Sequence, residues 1–214
     1  MVRMLDRNNE EVTPTLFTPQ AEKIGEMAKI DRWVIRHAAM EMAEQRKEGK
    51  KIFFFVSVSG DSMEDESLLL YICDLIEEFK LKGAWFTFQI AERDIRSRIQ
   101  QAKRFVEELK KIGCMFAIDQ FGLLAKPETF LKHFPVNYVR LDRSFMDGLT
   151  KNQKKQDDMR RVHNLAHSFD IQTVATGVED ANSLAVLWNV GVNFIQGYFL
   201  QEPSETIAYD FSHG

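Results

Sequence analysis

The sequence predicts an α/β protein in which strands and helices alternate as in a (β/α) barrel. Short apolar or β-branched runs alternate with longer stretches whose apolar residues recur every three to four positions, a pattern typical of a largely parallel sheet covered by helices. No Gly-, Ser- or Pro-rich linker interrupts the 214 residues. A chain of this length can bury one large core, so we expect a single domain over residues 1–214.

The short apolar runs predict six strands. They are Ile52–Val58, Ala84–Ile90, Cys114–Asp119, Val136–Leu141, Ile171–Ala175 and Phe194–Leu200. A further short strand is expected at Val2–Leu5. About eight strands close a barrel of this type, so we expect these residues to form an incomplete one. We expect Gly197–Leu200 to lie beside Val2–Leu5, which would place Tyr198 near Arg3.

The segments between the strands have helical spacing. The predicted helices are Asp31–Lys47, Asp65–Lys80, Arg93–Lys111, Pro127–His133, Lys154–Ser168 and Asp180–Asn189. In the first of them, Ile35, Ala39 and Met42 share one face, which indicates an amphipathic helix that covers a sheet. Gly49 follows it and can take the left-handed conformation that ends a helix.

Composition and charge exclude several classes of protein. The sequence has 28 Lys and Arg against 32 Asp and Glu, a net charge of −4, which gives no overall attraction to DNA, RNA or an anionic membrane. No apolar stretch approaches the ~18 residues of a membrane span, and the N-terminus lacks the apolar region of a signal peptide. We therefore expect a cytoplasmic protein without membrane insertion.

The cysteines and histidines do not have the spacing of a metal site. Cys73 and Cys114 are far apart and each lies in an apolar segment, so buried free thiols are expected. His163 and His167 are four residues apart on a predicted helix, but no third ligand accompanies them. We interpret the two histidines as a surface pair.

Polar residues collect where the predicted strands end, and in a (β/α) barrel the chemistry lies at the carboxyl ends of the strands. These ends are VSVS (Val56–Ser59), FQIAE (Phe88–Glu92), DQFG (Asp119–Gly122), VRLDRSF (Val139–Phe145), ATGVED (Ala175–Asp180) and QGYFLQEP (Gln196–Pro203). Together with FTPQAEK and IDRWV nearer the start, their order resembles the EAL domain family, which binds and usually hydrolyses cyclic di-GMP. The resemblance implies a TIM-type (β/α) barrel of the EAL family, N-terminally incomplete because the usual first strand and the EAL glutamate are missing.

The resemblance also implies two divalent cations, held by carboxylates at the strand ends, that activate a water for attack on a phosphodiester. The positions that match the family's ligand and proton-transfer residues are Ser57, Gln89, Asp119, Gln120, Arg140 and Thr176. Only Asp119 among them is a carboxylate, and an arginine stays protonated where the family has a lysine. We therefore expect no phosphodiesterase activity and no required metal.

Cyclic di-GMP remains the expected ligand. The resemblance implies that the Arg3 guanidinium binds a phosphate and that Asp31 pairs with a guanine edge, whose N–H donors suit a carboxylate. Tyr198 and Phe199 are candidates for stacking on a purine. The complete set of expected ligand-binding residues is Arg3, Asp31, Asp119, Gln120, Arg140, Glu179, Gln196, Tyr198, Phe199 and Pro203.

Each of these residues also has a purely structural interpretation. Arg3 can be a solvated charge, and Asp31 can be the N-cap of its helix. Glu179 and Asp180 can favour the start of the helix after them through its dipole. The remaining alternatives are Tyr198 and Phe199 in the core, Asp142 and Arg143 as an ion pair, and Gln196-Gly197 as a close approach of two backbones.

Two functions from different classes are compatible with this pattern. The first is a catalytically inactive EAL-like receptor that binds cyclic di-GMP and relays the signal to a PilZ-type or other regulatory protein, as in type IV pilus or motility control. The alternative is a protein-interaction scaffold that no longer binds a nucleotide. An active phosphodiesterase requires ligands that the sequence lacks.

Overall fold

A computed structural model describes residues 2–204 and 207 of the chain. The α-helices are α1 (Pro14–Lys23), α2 (Met27–Lys47), α3 (Glu66–Glu78), α4 (Glu92–Ser97), α5 (Ile99–Lys111), α6 (Pro127–His133), α7 (Gln153–His167) and α8 (Ala181–Val190). Short 3₁₀ helices lie at Asp61–Glu64, Gly83–Trp85, Arg143–Phe145 and Leu149–Lys151. Within the described residues, no helix combines the length and apolar character needed to cross a membrane.

The strands form two separate sheets. They are β1 (Met4–Leu5), β2 (Glu11–Val12), β3 (Phe54–Ser57), β4 (Phe86–Ala91), β5 (Met115–Phe121), β6 (Tyr138–Leu141), β7 (Gln172–Thr176) and β8 (Phe194–Gln196). β1 and β2 pair antiparallel as a hairpin of their own, with Met4 opposite Val12. Val2–Leu5 therefore pairs with β2 and not with a strand of the main sheet, whereas the expected nearness of Tyr198 to Arg3 stays a prediction.

The other six strands form one sheet in the order of the chain, β3-β4-β5-β6-β7-β8. β5 to β8 pair in parallel, and each is joined to the next by a connection that contains a helix. This arrangement confirms the predicted α/β fold. It also brings the carboxyl ends of β5, β6, β7 and β8 to the same edge of the sheet.

The structure corrects three predicted boundaries. The first long helix begins at Met27 rather than Asp31. The predicted helix Arg93–Lys111 is two helices, because Arg98 leaves helical geometry with φ of −131° and ψ of 47°. The last strand ends at Gln196 rather than Leu200, because Gly197 turns against the loop that follows β7.

The chain divides into two compact units, each with its own buried apolar residues. The first contains residues 2–88 and 107–114, and the second contains residues 89–106 and 115–203. The most deeply buried side chains of the first unit include Met42, Leu68, Ile72 and Leu75, which come from α2 and α3. Cys114 and Cys73 of this unit are free thiols; Cys114 is buried as expected, which raises its pKa to about 12, whereas Cys73 is only partly buried.

The core of the second unit is rich in phenylalanine. Phe116 of β5 and Phe134 after α6 have no exposed surface, and their ring centroids are 6.1 Å apart. Phe130 of α6 stacks on Phe134 at 5.5 Å. Such ring pairs add to the burial of apolar area, so α6 is held firmly against the sheet.

His163 of α7 is buried, so the prediction of a surface histidine pair is wrong for this residue. Its Nδ1 lies 2.8 Å from Oγ1 of Thr173 on β7, and that hydroxyl donates to Oδ1 of Asn193 at 3.2 Å. The imidazole Nδ1–H therefore donates to Thr173 and joins α7 to the sheet. Burial lowers the pKa of His163 below its ordinary value of 6.5, and the charge of His167 lowers it further.

The lowered pKa of His163 predicts that acid weakens the fold. The unfolded chain binds a proton below pH about 6.5 more readily than the folded chain does, so the free energy of unfolding falls as the pH drops through that value. We expect His163→Gln, which keeps an amide donor toward Thr173, to show a smaller loss between pH about 7 and 5. Urea unfolding at several pH values measures this. An unchanged pH slope, equal to that of the exposed control His133→Gln, would contradict the assignment.

Candidate functional site

The carboxyl end of β5 contains a β-bulge. The register of β5 against β6 shifts between Ile118 and Phe121, so that Asp119 and Gln120 together oppose Arg140. Gln120 has a φ of +54°, in the left-handed region. An extra residue in one strand bends that strand and re-aims its side chains. In this case the bulge allows the Asp119 carboxylate to meet the Arg140 guanidinium.

The charged side chain of Arg140 is largely enclosed at this edge of the sheet. Its Nη1 lies 3.1 Å from Oδ1 of Asp119, and the two side chains are 11% and 24% exposed. Its Nη2 donates to Oε1 of Gln196, at the end of β8, over 2.6 Å. Burial lowers the pKa of Arg140, and the Asp119 charge opposes that shift. The guanidinium thus joins residues from β5, β6 and β8.

Thr176 ends β7, the strand between β6 and β8. It stands opposite Gln196 in the parallel register. Its hydroxyl donates to the carbonyl oxygen of Leu141 at 2.9 Å, so this donor is used within the sheet. The side-chain acceptor of Arg140 from this side is therefore Gln196 on β8, not Thr176 on β7.

A second ion pair joins the loops that follow β6 and β7. Arg143 donates from Nη2 to Oε1 of Glu179, and both side chains are exposed. Gly177 has a φ of +79°, and a Cβ atom there would lie 2.9 Å from Cγ of Arg143. The Arg143 side chain therefore passes close over the Gly177 backbone on its way to Glu179.

The acidic neighbours in these loops cap short helices. Asp142 accepts from the amide of Ser144 at 2.9 Å and Arg143 pairs with Glu179, so the alternative of an Asp142–Arg143 ion pair is wrong. Asp180 is the N-cap of α8 and accepts from the amide of Ser183. The structural interpretation as a helix start thus holds for Asp180, while Glu179 pairs with Arg143.

A cavity of about 260 Å³ lies among these loops. Its lining residues are Arg143, Met146, Asp147, Gly148, Gly177, Glu179, Asp180 and Ser183. The Arg143–Glu179 ion pair forms part of this lining, so the predicted residue Glu179 borders a real depression in the second unit.

Gly197 fastens the segment after β8 to the loop after β7. The amide of Val178 donates to the carbonyl of Gln196, and the amide of Phe199 donates to the carbonyl of Val178, both at 3.1 Å. A Cβ atom at Gly197 would lie only 2.0 Å from the Val178 carbonyl oxygen. The predicted close backbone approach at Gln196-Gly197 is confirmed.

The turn at Gly197 places the next side chains in solvent. Tyr198 is 54% exposed and Phe199 is 46% exposed, so the alternative that they belong to the core is wrong. Pro203 is also exposed. The second unit therefore presents two aromatic side chains immediately after the β8 residue that binds Arg140.

Asp31 lies in the first unit, inside α2 rather than at its start. Its buried carboxylate accepts through Oδ2 from the Ser59 amide at 2.8 Å, the Ser59 hydroxyl at 2.6 Å and the Ser62 hydroxyl at 2.7 Å. Burial raises the pKa of Asp31 above 3.8, and the hydrogen bonds from the two serines oppose that shift. The N-cap alternative is wrong, and pairing with a guanine edge stays a prediction.

Arg3, also in the first unit, stands just before β1. Its Nε lies 3.4 Å from Oε2 of Glu11 on β2, so an ion pair spans the hairpin. The side chain is partly exposed, which fits neither a fully solvated charge nor a buried one. Its contact with a phosphate stays a prediction.

Comparison with known proteins decides the family. The model of the EAL domain matches residues 1–203. The chain belongs to the EAL domain family. The motifs at the strand ends, which suggested this family, thus fall within a match that covers nearly all of the chain.

Solved EAL domains are similar to this chain over most of its length. The FimX EAL domain of Pseudomonas aeruginosa bound to c-di-GMP has 34% identity and a TM-score of 0.91, covering 98% of this chain and 84% of that one. The FimX EAL domain of Xanthomonas citri in complex with c-diGMP has 25% identity and a TM-score of 0.91, with coverage of 96% and 81%. The predicted EAL fold is confirmed, and FimX EAL domains are among the solved structures similar to this chain.

Curated relatives are longer proteins. The cyclic di-GMP phosphodiesterase PdeF of Escherichia coli is 26% identical over 97% of this chain and 28% of its own length. The signaling protein YkoW of Bacillus subtilis is 23% identical over 95% of this chain and 25% of its own length. The EAL chain thus spans about a quarter of the curated relatives that it matches.

The strand-end side chains do not fit the pair of divalent cations implied by the family. Asp119 already pairs with the Arg140 guanidinium, and the Thr176 hydroxyl is used by a backbone carbonyl. Gln89 and Gln120 are neutral and add no charge to offset the dehydration of a hard cation. Among the described residues, no group of three or more His, Cys, Asp or Glu side chains could hold a metal ion.

Sequence reasoning missed Glu92, the last residue of FQIAE. Its carboxylate is 1% exposed, accepts from Arg96 one helical turn later and accepts from the Gly122 amide at 3.1 Å. Glu92 therefore anchors the loop that follows the β5 bulge. A glutamate directly after a strand of apolar residues was the available signal, because such a residue must find a partner when it is buried.

The contact between Gly197 and Val178 predicts a strong steric effect. Gly197→Ala should lower the free energy of unfolding by about 2–3 kcal/mol, because the new methyl group meets a backbone oxygen that cannot move alone. Gly148→Ala is the matched control, since nothing lies within 4 Å of its Cβ position and only its positive φ is strained. That control should cost about 1 kcal/mol. Urea unfolding measures both, and equal losses would contradict the steric account.

Proposed function

We propose that this chain is a catalytically inactive EAL domain that binds cyclic di-GMP and relays the signal to a protein partner. The observation that carries the proposal is the contact of Arg140 with Asp119 and Gln196. It puts a fixed organic cation at the strand ends, where the family's chemistry calls for metal ions. The likeness to FimX EAL domains bound to c-di-GMP supports the choice of ligand.

A guanidinium at this position suits a phosphodiester. Its planar N–H donors match two oxygens of one phosphate, and it remains charged at any physiological pH. Gln196 and Gln120 are neutral neighbours that can donate or accept hydrogen bonds. Tyr198 and Phe199 are exposed just after β8 and provide faces on which a guanine can stack.

The same side chains do not suit hydrolysis. Activation of water by a metal needs carboxylates that are free to bind the metal, and Asp119 is held by Arg140. An arginine cannot take a proton from an attacking water, because its pKa lies far above neutral. Recognition of the phosphodiester is therefore favoured over its cleavage.

The second part of the proposal is that the chain relays the signal to a protein partner. A receptor without catalytic output must act through a second protein, and the resemblance favours a PilZ-type or other regulatory protein in type IV pilus or motility control. We also propose a cytoplasmic location for the receptor and its partner. The alternative, a scaffold that binds no nucleotide, is separated from this proposal by the binding experiment below.

Purified protein should not hydrolyse cyclic di-GMP in Mg²⁺ or Mn²⁺, because Asp119 is the only carboxylate among the positions that match the family's ligand residues, and it is paired with Arg140. Chromatography of the nucleotide after prolonged incubation measures this, with PdeF as the positive control. Metal-dependent product above the level of a mock purification would show that the proposal of inactivity is wrong.

Binding of cyclic di-GMP should persist in EDTA and should depend on Arg140. Loss of a charged hydrogen bond costs about 1.5–3 kcal/mol, so Arg140→Ala should weaken binding about ten- to hundredfold. Arg161→Ala is the matched control, since that arginine forms an exposed pair on α7. Isothermal titration calorimetry measures the affinities. Absence of binding by the wild type would favour the scaffold, and unchanged binding by Arg140→Ala would remove Arg140 from the site.

A further inference from the structure

The positive charge of Arg140 is already balanced within the protein. Nη1 faces the Asp119 carboxylate at 3.1 Å, and Nη2 donates to the Gln196 side chain at 2.6 Å. Both terminal nitrogens therefore have acceptors from the chain itself. An incoming phosphodiester must share or displace these acceptors before it gains the full benefit of the guanidinium.

We propose that Asp119 competes with the ligand's phosphodiester for Arg140 and thereby sets the affinity of the site. This inference rests on the proposed function, since it concerns the same strand-end site. Asp119 is then a positioning residue: it acts through Arg140 and contacts neither a metal nor the nucleotide.

Two physical effects of Asp119 oppose each other. Its carboxylate holds the buried guanidinium in place, because a charge removed from water needs a partner. The same negative charge repels an anionic phosphodiester that approaches Arg140. Because both side chains are only partly exposed, solvent weakens this repulsion only in part. The first effect needs only an acceptor atom, whereas the second needs the charge.

The neutral isostere separates the two effects. Asp119→Asn keeps an Oδ1 acceptor for Arg140 and removes the charge, so the affinity for a phosphodiester should rise about three- to thirtyfold. Asp119→Ala removes both the acceptor and the charge, so its affinity should lie between those of the wild type and Asp119→Asn. Asp157→Asn, on the exposed face of α7, makes the same change in net charge and should leave the affinity unchanged.

The experiment is calorimetry in EDTA with two probes, cyclic di-GMP and dimethyl phosphate, on the wild type and the three variants. The gain on Asp119→Asn should be larger at low salt than at high salt, because added ions screen the repulsion that the substitution removes. A role of Asp119 limited to packing would not change the salt dependence. Asp119→Ala provides the same comparison if the asparagine variant does not fold.

Every outcome decides the inference. Tighter binding of either probe by Asp119→Asn than by the wild type supports it, even if the wild type binds no cyclic di-GMP and the proposed function is wrong. If the Asp119 variants bind the probes no more tightly than a wild type that binds at least one of them, the inference is wrong, and the proposed function still stands where the wild type binds cyclic di-GMP. If neither the wild type nor the variants bind either probe, both are wrong.

Discussion

A buried guanidinium requires acceptors, and this requirement organises the strand ends of the second unit. Arg140 is only 11% exposed and finds its acceptors on two other strands, Asp119 of β5 and Gln196 of β8. Asp119 reaches it because the bulge sets two residues of β5 against one of β6. Without the bulge, side chains would alternate regularly along β5, and the residues at its end would have a different orientation relative to Arg140. The local irregularity of one strand thus makes the ion pair possible.

The loops beyond the strand ends are fixed by backbone contacts and leave their side chains exposed. Gly197 lies directly on the Val178 backbone, and Gly177 lies under the Arg143 side chain. These close approaches hold the loops without using the side chains of Tyr198 and Phe199, which remain exposed. A rigid backbone with free aromatic side chains suits ligand recognition, because the residues that bind need not also support the fold.

Local patterns predicted the six strands of the main sheet and most of the helices, but not β2, and contacts between distant residues decided the details. Alternation of apolar runs with helical spacing is a property of each segment, so the order of the main sheet was predictable. The bulge depends on the register between β5 and β6, which no single segment encodes. Asp31 resembled a helix cap, but the serines that bind its carboxylate lie near residue 60 of the chain. The end of β8 likewise depends on Val178, which belongs to another loop.

The candidate site shows how a few substitutions can change the chemistry of one sheet edge. A divalent cation supplies two charges and open coordination positions, so bound water can be activated. A guanidinium supplies one charge, fixed donor geometry and no position for a reactive water. Arg140 paired to Asp119 gives the strand ends a positive group that suits a phosphodiester. Under the proposed function, recognition survives because a guanidinium can bind an anion by itself, whereas hydrolysis is lost because it needs several carboxylates at once.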